Sequence, residues 1–167
     1  FNDIFIIFWQ SLVLGEKEPV WKSIITHGTT EPSATYVSTL FSSGKKNKNG
    51  IAVLLADKQY VDCWVYGRHK GKYEALQQYW RYKFPTYRKK KDEPDYYSGF
   101  IYYDVAGLNF HTTRYGYTLD KILGWSEGCQ VVFDANLYFK KIIPLLQNYY
   151  RHKYTYTLVN DTQFYNL

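Results

Sequence analysis

Residues 51–67 read IAVLLADKQYVDCWVYG. Ile51 to Ala56 is a short apolar run closed by Asp57, and Lys58 to Gly67 alternates approximately, with β-branched and aromatic residues between polar ones. Both halves read as strands. Working outward toward the C-terminus, GRHKG at 67–71 is a turn, and Phe84-Pro85-Thr86-Tyr87 is extended around its proline. Gly99–Val105 and Leu108–Thr112 read as strands with a break at Ala106-Gly107, and Gln130–Phe133 as a short apolar strand. Lys89–Pro94 is an exposed loop and Tyr115–Trp125 a loop of mixed polarity. Asp134 is a good N-cap for a helix from Ala135, with Leu137, Tyr138, Lys141 and Ile142 at helical spacing. Pro144 kinks or restarts that helix. Tyr154–Leu158 alternates strictly and marks a last strand. The pattern is mainly β, with one or two helices in the C-terminal half.

Outward toward the N-terminus, Phe1–Leu14 (FNDIFIIFWQSLVL) is strongly apolar but short, and it carries Asn2, Asp3, Gln10 and Ser11. It reads as a buried strand or helix, or as a contact with another protein, rather than as a membrane anchor. Ser23–Gly50 is polar, and SSGKKNKNG at 42–50 is linker-like. The expected organisation is a segment and linker over 1–50, a β-domain over 51–160 and a tail over 161–167.

The 167 residues suit one domain with some additional chain. With 46% hydrophobic and 22% charged residues the composition is globular, which excludes a disordered polymer. Two cysteines exclude a disulfide framework and a four-cysteine zinc site. No run of 18 apolar residues exists, so no membrane span is expected. Methionine is absent even at position 1, so a processed chain or a fragment is expected. A net charge of +6 raises the local concentration of anionic partners. The basic clusters at Lys45–Lys48, Arg68–Lys72 and Arg88–Lys91 read first as solvated loop tips. No nucleic-acid-binding motif accompanies them, so nucleic acid is not expected as a partner. No phosphate-cradling loop is present, and no cofactor is indicated.

The segment that carries chemistry is Asn109–Val131. Alternate side chains of a strand share a face, so Asn109 and His111 point one way and Leu108 and Phe110 the other, into the core. Ser126-Glu127-Gly128-Cys129 follows a loop. A thiol acts as a nucleophile only as thiolate, and a nearby imidazole supplies the base. The backbone amides of Gly128 and Cys129 are candidates for stabilising an oxyanion. A free cysteine is also a common buried core residue. Cys63, in YVDCWVY, reads as such, and His27 and His152 read as surface residues. His69 either lines a cleft or caps a turn. A zinc site from His69, His111 and Cys129 lacks any short ligand spacing, so no metal is assigned.

His111, fourteen residues, then Ser126-Glu127-Gly128-Cys129 resembles the active-site motif of L,D-transpeptidase (YkuD-like) catalytic domains. GRHKGKYEALQQ, PTYRKKKDEPD, GLNFHTTRYG, GWSEGCQVV and YTYTLV follow in the order of a peptidoglycan-hydrolase branch found in bacteriophages and some bacteria. The resemblance covers roughly residues 51 to 159. It implies a β-sandwich or partial barrel and a Cys129 nucleophile with a His111 base. It further implies Thr112 orienting the histidine through its carbonyl, oxyanion-hole amides at Gly128, Cys129 and Glu127, and Ser126 holding the turn. Asn109, His69, Arg114 and Trp125 are the candidates for binding substrate. The implied activity is peptidoglycan stem-peptide cleavage, or acyl transfer, through a thioester. The implied partner is the anionic cell wall and the implied location a virion or the bacterial envelope. Residues 1–14 are a candidate contact with other virion proteins. Glu127 replaces a family histidine, Gln130 a basic residue and Val131 an asparagine, which favours hydrolysis over transfer. The alternative is a non-enzymatic structural or wall-binding virion module that keeps the fold.

Overall fold

β4 (Lys58–His69) and β5 (Tyr73–Gln78) form a long antiparallel hairpin. Its turn is closed by the Lys72 amide on the His69 carbonyl at 2.9 Å, and Lys70 and Gly71 take positive φ. The computed structural model describes residues 3–33, 50–89, 99–113, 116, 125–149 and 152–160. The expected loops at 90–94 and 117–124 lie outside the described residues.

Among the described residues ten strands form two sheets. The remaining strands are β1 (Asp3–Ser11), β2 (Val20–Thr29), β3 (Ile51–Leu54), β6 (Phe84–Lys89), β7 (Tyr102–Asp104), β8 (Asn109–Thr112), β9 (Gln130–Val132) and β10 (Tyr154–Leu158). Seven join in the order β1-β2-β9-β8-β5-β4-β10, and three in the order β3-β6-β7. All pairs are antiparallel except β8 with β9. The larger sheet is curled into a half-barrel. Its curl is visible in one bond: Tyr156 on β10 donates to Gln130 Oε1 on β9 at 2.8 Å, although three strands separate them in the sheet. At about 4.8 Å per strand a flat sheet would hold those two strands about 19 Å apart. The fold is thus mainly β, as the sequence pattern indicates.

The core is aromatic. Tyr60, Trp64, Phe84 and Tyr156 meet ring to ring, and Phe5, Phe110 and Tyr138 form a second group. Such edge-on and tilted pairs contribute about 0.5–1.5 kcal/mol each beyond simple burial. Tyr60 meets its polar need by donating to the Leu55 carbonyl. The buried Arg88 pairs with Asp104, which ties β6 to β7, and Lys89 pairs with Glu31.

Asp134 caps a helical run by accepting from the Leu137 amide at 2.9 Å. The run is α1 (Ala135–Leu137), a π-helical turn (Tyr138–Ile142) and α2 (Ile143–Asn148). Pro144 sits in the first turn of α2, where its missing N–H is harmless, so the proline restarts the helix behind the wide turn. The Tyr138 hydroxyl lies within hydrogen-bond distance of the Glu74 and Phe110 carbonyls, at 3.2 Å each, which fixes the run across β5 and β8.

Residues 3–29 form two strands of the same sheet as the rest of the domain, joined to it where Gly28 and Thr29 pair with Val132 and Val131. No helix among the described residues is long and apolar enough to cross a membrane.

Candidate active site

Register places the candidate residues on one face of four adjacent strands. Gln77 pairs with Asn109, His69 with Tyr73 and His111 with Val131. Side chains opposite one another share a face, and so do residues two apart. His69 on β4, Tyr73 on β5, and Asn109 and His111 on β8 therefore face the same way. Cys129 immediately precedes β9 and continues the face of Val131, diagonally across from His111. Residues 60 positions apart in sequence, from His69 to Cys129, are brought together in this way.

His111 is fully buried. Its Nδ1 lies 2.8 Å from the Thr112 carbonyl and 2.9 Å from Tyr73 Oη, and Tyr73 Oη lies 2.7 Å from the same carbonyl. A carbonyl only accepts, so Nδ1 carries the proton and donates. Nε2 is then a bare lone pair, and it has no hydrogen-bond partner among the described residues. Burial, the neighbouring His69 and Lys70 push His111 down to about 3, against a smaller opposing effect of the Thr112 contact. The imidazole is neutral at pH 7.

His69 stacks on His111 with centroids 4.1 Å apart and planes 24° apart. Its Nδ1 contacts Asn109 Nδ2 at 3.0 Å; the amide nitrogen donates, so this Nδ1 accepts. Burial, with Lys70 and Lys72 nearby, pushes His69 down to about 4. His69 is thus a buried member of the cluster and ends β4 at the turn.

Cys129 is 7% exposed. Burial pushes its thiol up to about 11, opposed by the Asn109 backbone amide and by Lys70, while Glu127 raises it further. The thiol is protonated at pH 7. The preceding turn is tied by Ser126, whose hydroxyl donates to the Cys129 carbonyl at 2.8 Å and accepts from the Gly128 amide at 3.1 Å. The Gly128 amide is therefore engaged within the turn. Glu127 is exposed and Trp125 half-buried. Gln130 is fully buried and donates to the Gly128 and Thr30 carbonyls at 3.3 Å.

The structure thus gathers His69, Asn109, His111, Thr112 and Cys129 in one cluster, with Ser126 and Gly128 forming the turn behind the thiol. Arg114 lies outside the described residues. Tyr73 is the member that sequence reading misses. Its signal is its place in the GRHKGKYEALQQ segment, four residues after His69 across the β4–β5 turn, where the resemblance gives it no role. Cys63 is a fully buried strand residue, and no group of three or more metal-ligating side chains occurs among the described residues. The site offers a buried neutral thiol and a buried neutral imidazole, and the free Nε2 of that imidazole, to which Cys129 is not hydrogen-bonded, is a proton acceptor. No family model, curated protein or solved structure matches the chain.

Proposed function

We propose that the protein is a cysteine-dependent hydrolase of peptidoglycan stem peptides. The observation that carries this reading is the buried His111 Nε2, an unoccupied proton acceptor diagonally across the sheet from the Cys129 thiol. The motif resemblance supplies the substrate class, and the net charge of +6 suits an anionic wall polymer.

Both partners rest neutral, so the ion pair forms only during attack. His111 Nε2 takes the thiol proton as the sulfur adds to a peptide carbonyl. The resulting imidazolium is held by the Thr112 carbonyl on Nδ1. It returns the proton to the leaving amine, and the C–N bond breaks to leave a thioester. Water, deprotonated by the same nitrogen, then adds to the thioester and releases the acid and the thiol. The Asn109 backbone amide, which favours the thiolate, stabilises the sulfur as its proton leaves. Attack by an amine in place of water makes the same site a transferase. The proposed setting is a virion or the bacterial envelope.

Purified sacculi digested by wild type and by Cys129→Ala test the reading, with the released fragments analysed by mass. Soluble peptide fragments are expected from wild type alone. Equal release from both proteins overturns it. The burial of Cys129 favours a second reading, a non-enzymatic wall-binding or structural virion module. That reading predicts sedimentation with sacculi and no fragments from either protein.

A further inference from the structure

We propose that Tyr73 is the positioning residue of the His111 base, its hydroxyl bridging Nδ1 and the Thr112 carbonyl so that the ring is locked with Nε2 bare. The inference rests on the reading of His111 as a base, and it gives a role to a residue that stands outside the His111 to Cys129 motif.

Tyr73 Oη is 2.7 Å from the Thr112 carbonyl and 2.9 Å from His111 Nδ1. The carbonyl cannot donate, so the phenol donates to it. The phenol oxygen then has lone pairs left for the Nδ1 proton. Three groups close a small cycle in which every proton has an acceptor. Turning the ring over would set the Cδ2–H against the phenol oxygen and the carbonyl, and moving the proton to Nε2 would leave the carbonyl facing a lone pair. Either change costs a buried hydrogen bond. The carbonyl of the next residue alone is a weaker restraint, because it sits beside the ring on the same strand. Tyr73 holds the ring from the neighbouring strand, so the angle of the imidazole is set by the β5–β8 pairing.

Two contacts keep the phenol in place. Its ring meets Phe139 edge-on at 6.0 Å and lies 5.5 Å from His69. Burial raises its hydroxyl above the ordinary phenol range, so it stays protonated and keeps its donor role throughout the working pH range. Among the described residues no carboxylate bonds to His111. A carboxylate at this place would stabilise the imidazolium strongly, whereas a phenol orients the ring without doing so.

The test is the tautomer itself, read by long-range proton–nitrogen correlation on uniformly labelled full chain at neutral pH. In wild type, His111 is expected with Nδ1 protonated and Nε2 bare. Tyr73→Phe keeps the aromatic ring and removes only the bridge. It is expected to show a mixture of both tautomers or line broadening from their exchange. Phe139→Leu disturbs the same packing but leaves the hydroxyl, and is expected to keep the wild-type tautomer. On sacculi, Tyr73→Phe should lower kcat by about tenfold or more with KM little changed. An unaltered His111 signal in Tyr73→Phe overturns the proposal, as does an Nε2-protonated wild type, which decides the matter even if the variant fails to fold. The tautomer measurement needs no substrate. A failure of Cys129→Ala to abolish digestion overturns the hydrolase reading separately.

Discussion

Gly128 is the residue at which one added methyl group would meet the least tolerance. Its φ is +98°, and a Cβ built there would lie 2.0 Å from the Ala52 carbonyl of β3. Left-handed backbone strains any residue with a side chain, and backbone across a sheet interface cannot give way as a side chain can. Gly128→Ala is expected to lower stability by about 2–5 kcal/mol, measured as a fall in the urea midpoint. An unchanged midpoint would mean that the turn adopts another conformation. The same constraint places the thiol. Ser126 ties both ends of the turn, so Cys129 leaves it at a fixed angle onto the face of His111.

At the scale of the element, the two sides of β1 behave differently. Phe5 lies over Gly28, where a Cβ would come within 2.0 Å of its ring, and meets Phe110 edge-on at 5.4 Å. Phe8 points outward and is 66% exposed, beside Trp21 at 5.7 Å. Phe5→Ala is expected to destabilise by about 3–5 kcal/mol. Phe8→Ala is expected to change stability by less than about 1 kcal/mol. Thermal melts of the two variants distinguish these outcomes, and equal losses would show that the outer face of the hairpin is covered. Sequence pattern finds β3, β4, β7, β8, β9 and β10, whose β-branched and aromatic residues agree with their partners. It does not find β5, because Glu74, Ala75, Leu76, Gln77 and Gln78 are all helix formers. Hydrogen bonding to β4 on one side and β8 on the other overrides that preference. Nor does it find β2, whose Ser23, Thr26 and His27 read as linker until β1 pairs along their whole length. The site is legible to the same extent. The spacing of His111 and Cys129 is read directly from the motif. Tyr73 is hidden with β5, because its role depends on a strand that local preference does not announce.

At the scale of the molecule, two imidazoles are folded into the same small volume. His111 is pushed down to about 3 and His69 to about 4, both chiefly by burial. In the unfolded chain each binds a proton near 6.5. Between those values the unfolded state holds more protons than the folded one, so stability is fully present above about 6.5 and is lost as pH falls. Each histidine contributes up to about 1.4 kcal/mol per pH unit across the window. Urea midpoints are expected to fall between pH 7.5 and pH 5.0, a range above that in which carboxylates as a class ionise. A flat profile there would contradict the burial of the pair.

The strand that completes the curl has a temporal consequence. β10 covers the open side of β4, which lies near the middle of the sequence, and brings Tyr156 against Tyr60, Trp64 and Gln130. A nascent chain emerging from a ribosome holds β4 and its aromatic rings without this cover until residues 154–158 have been made. The half-barrel cannot finish while synthesis is under way upstream of that point. Translation of residues 70–158 is therefore the interval in which chaperones have an uncovered β4 edge to bind.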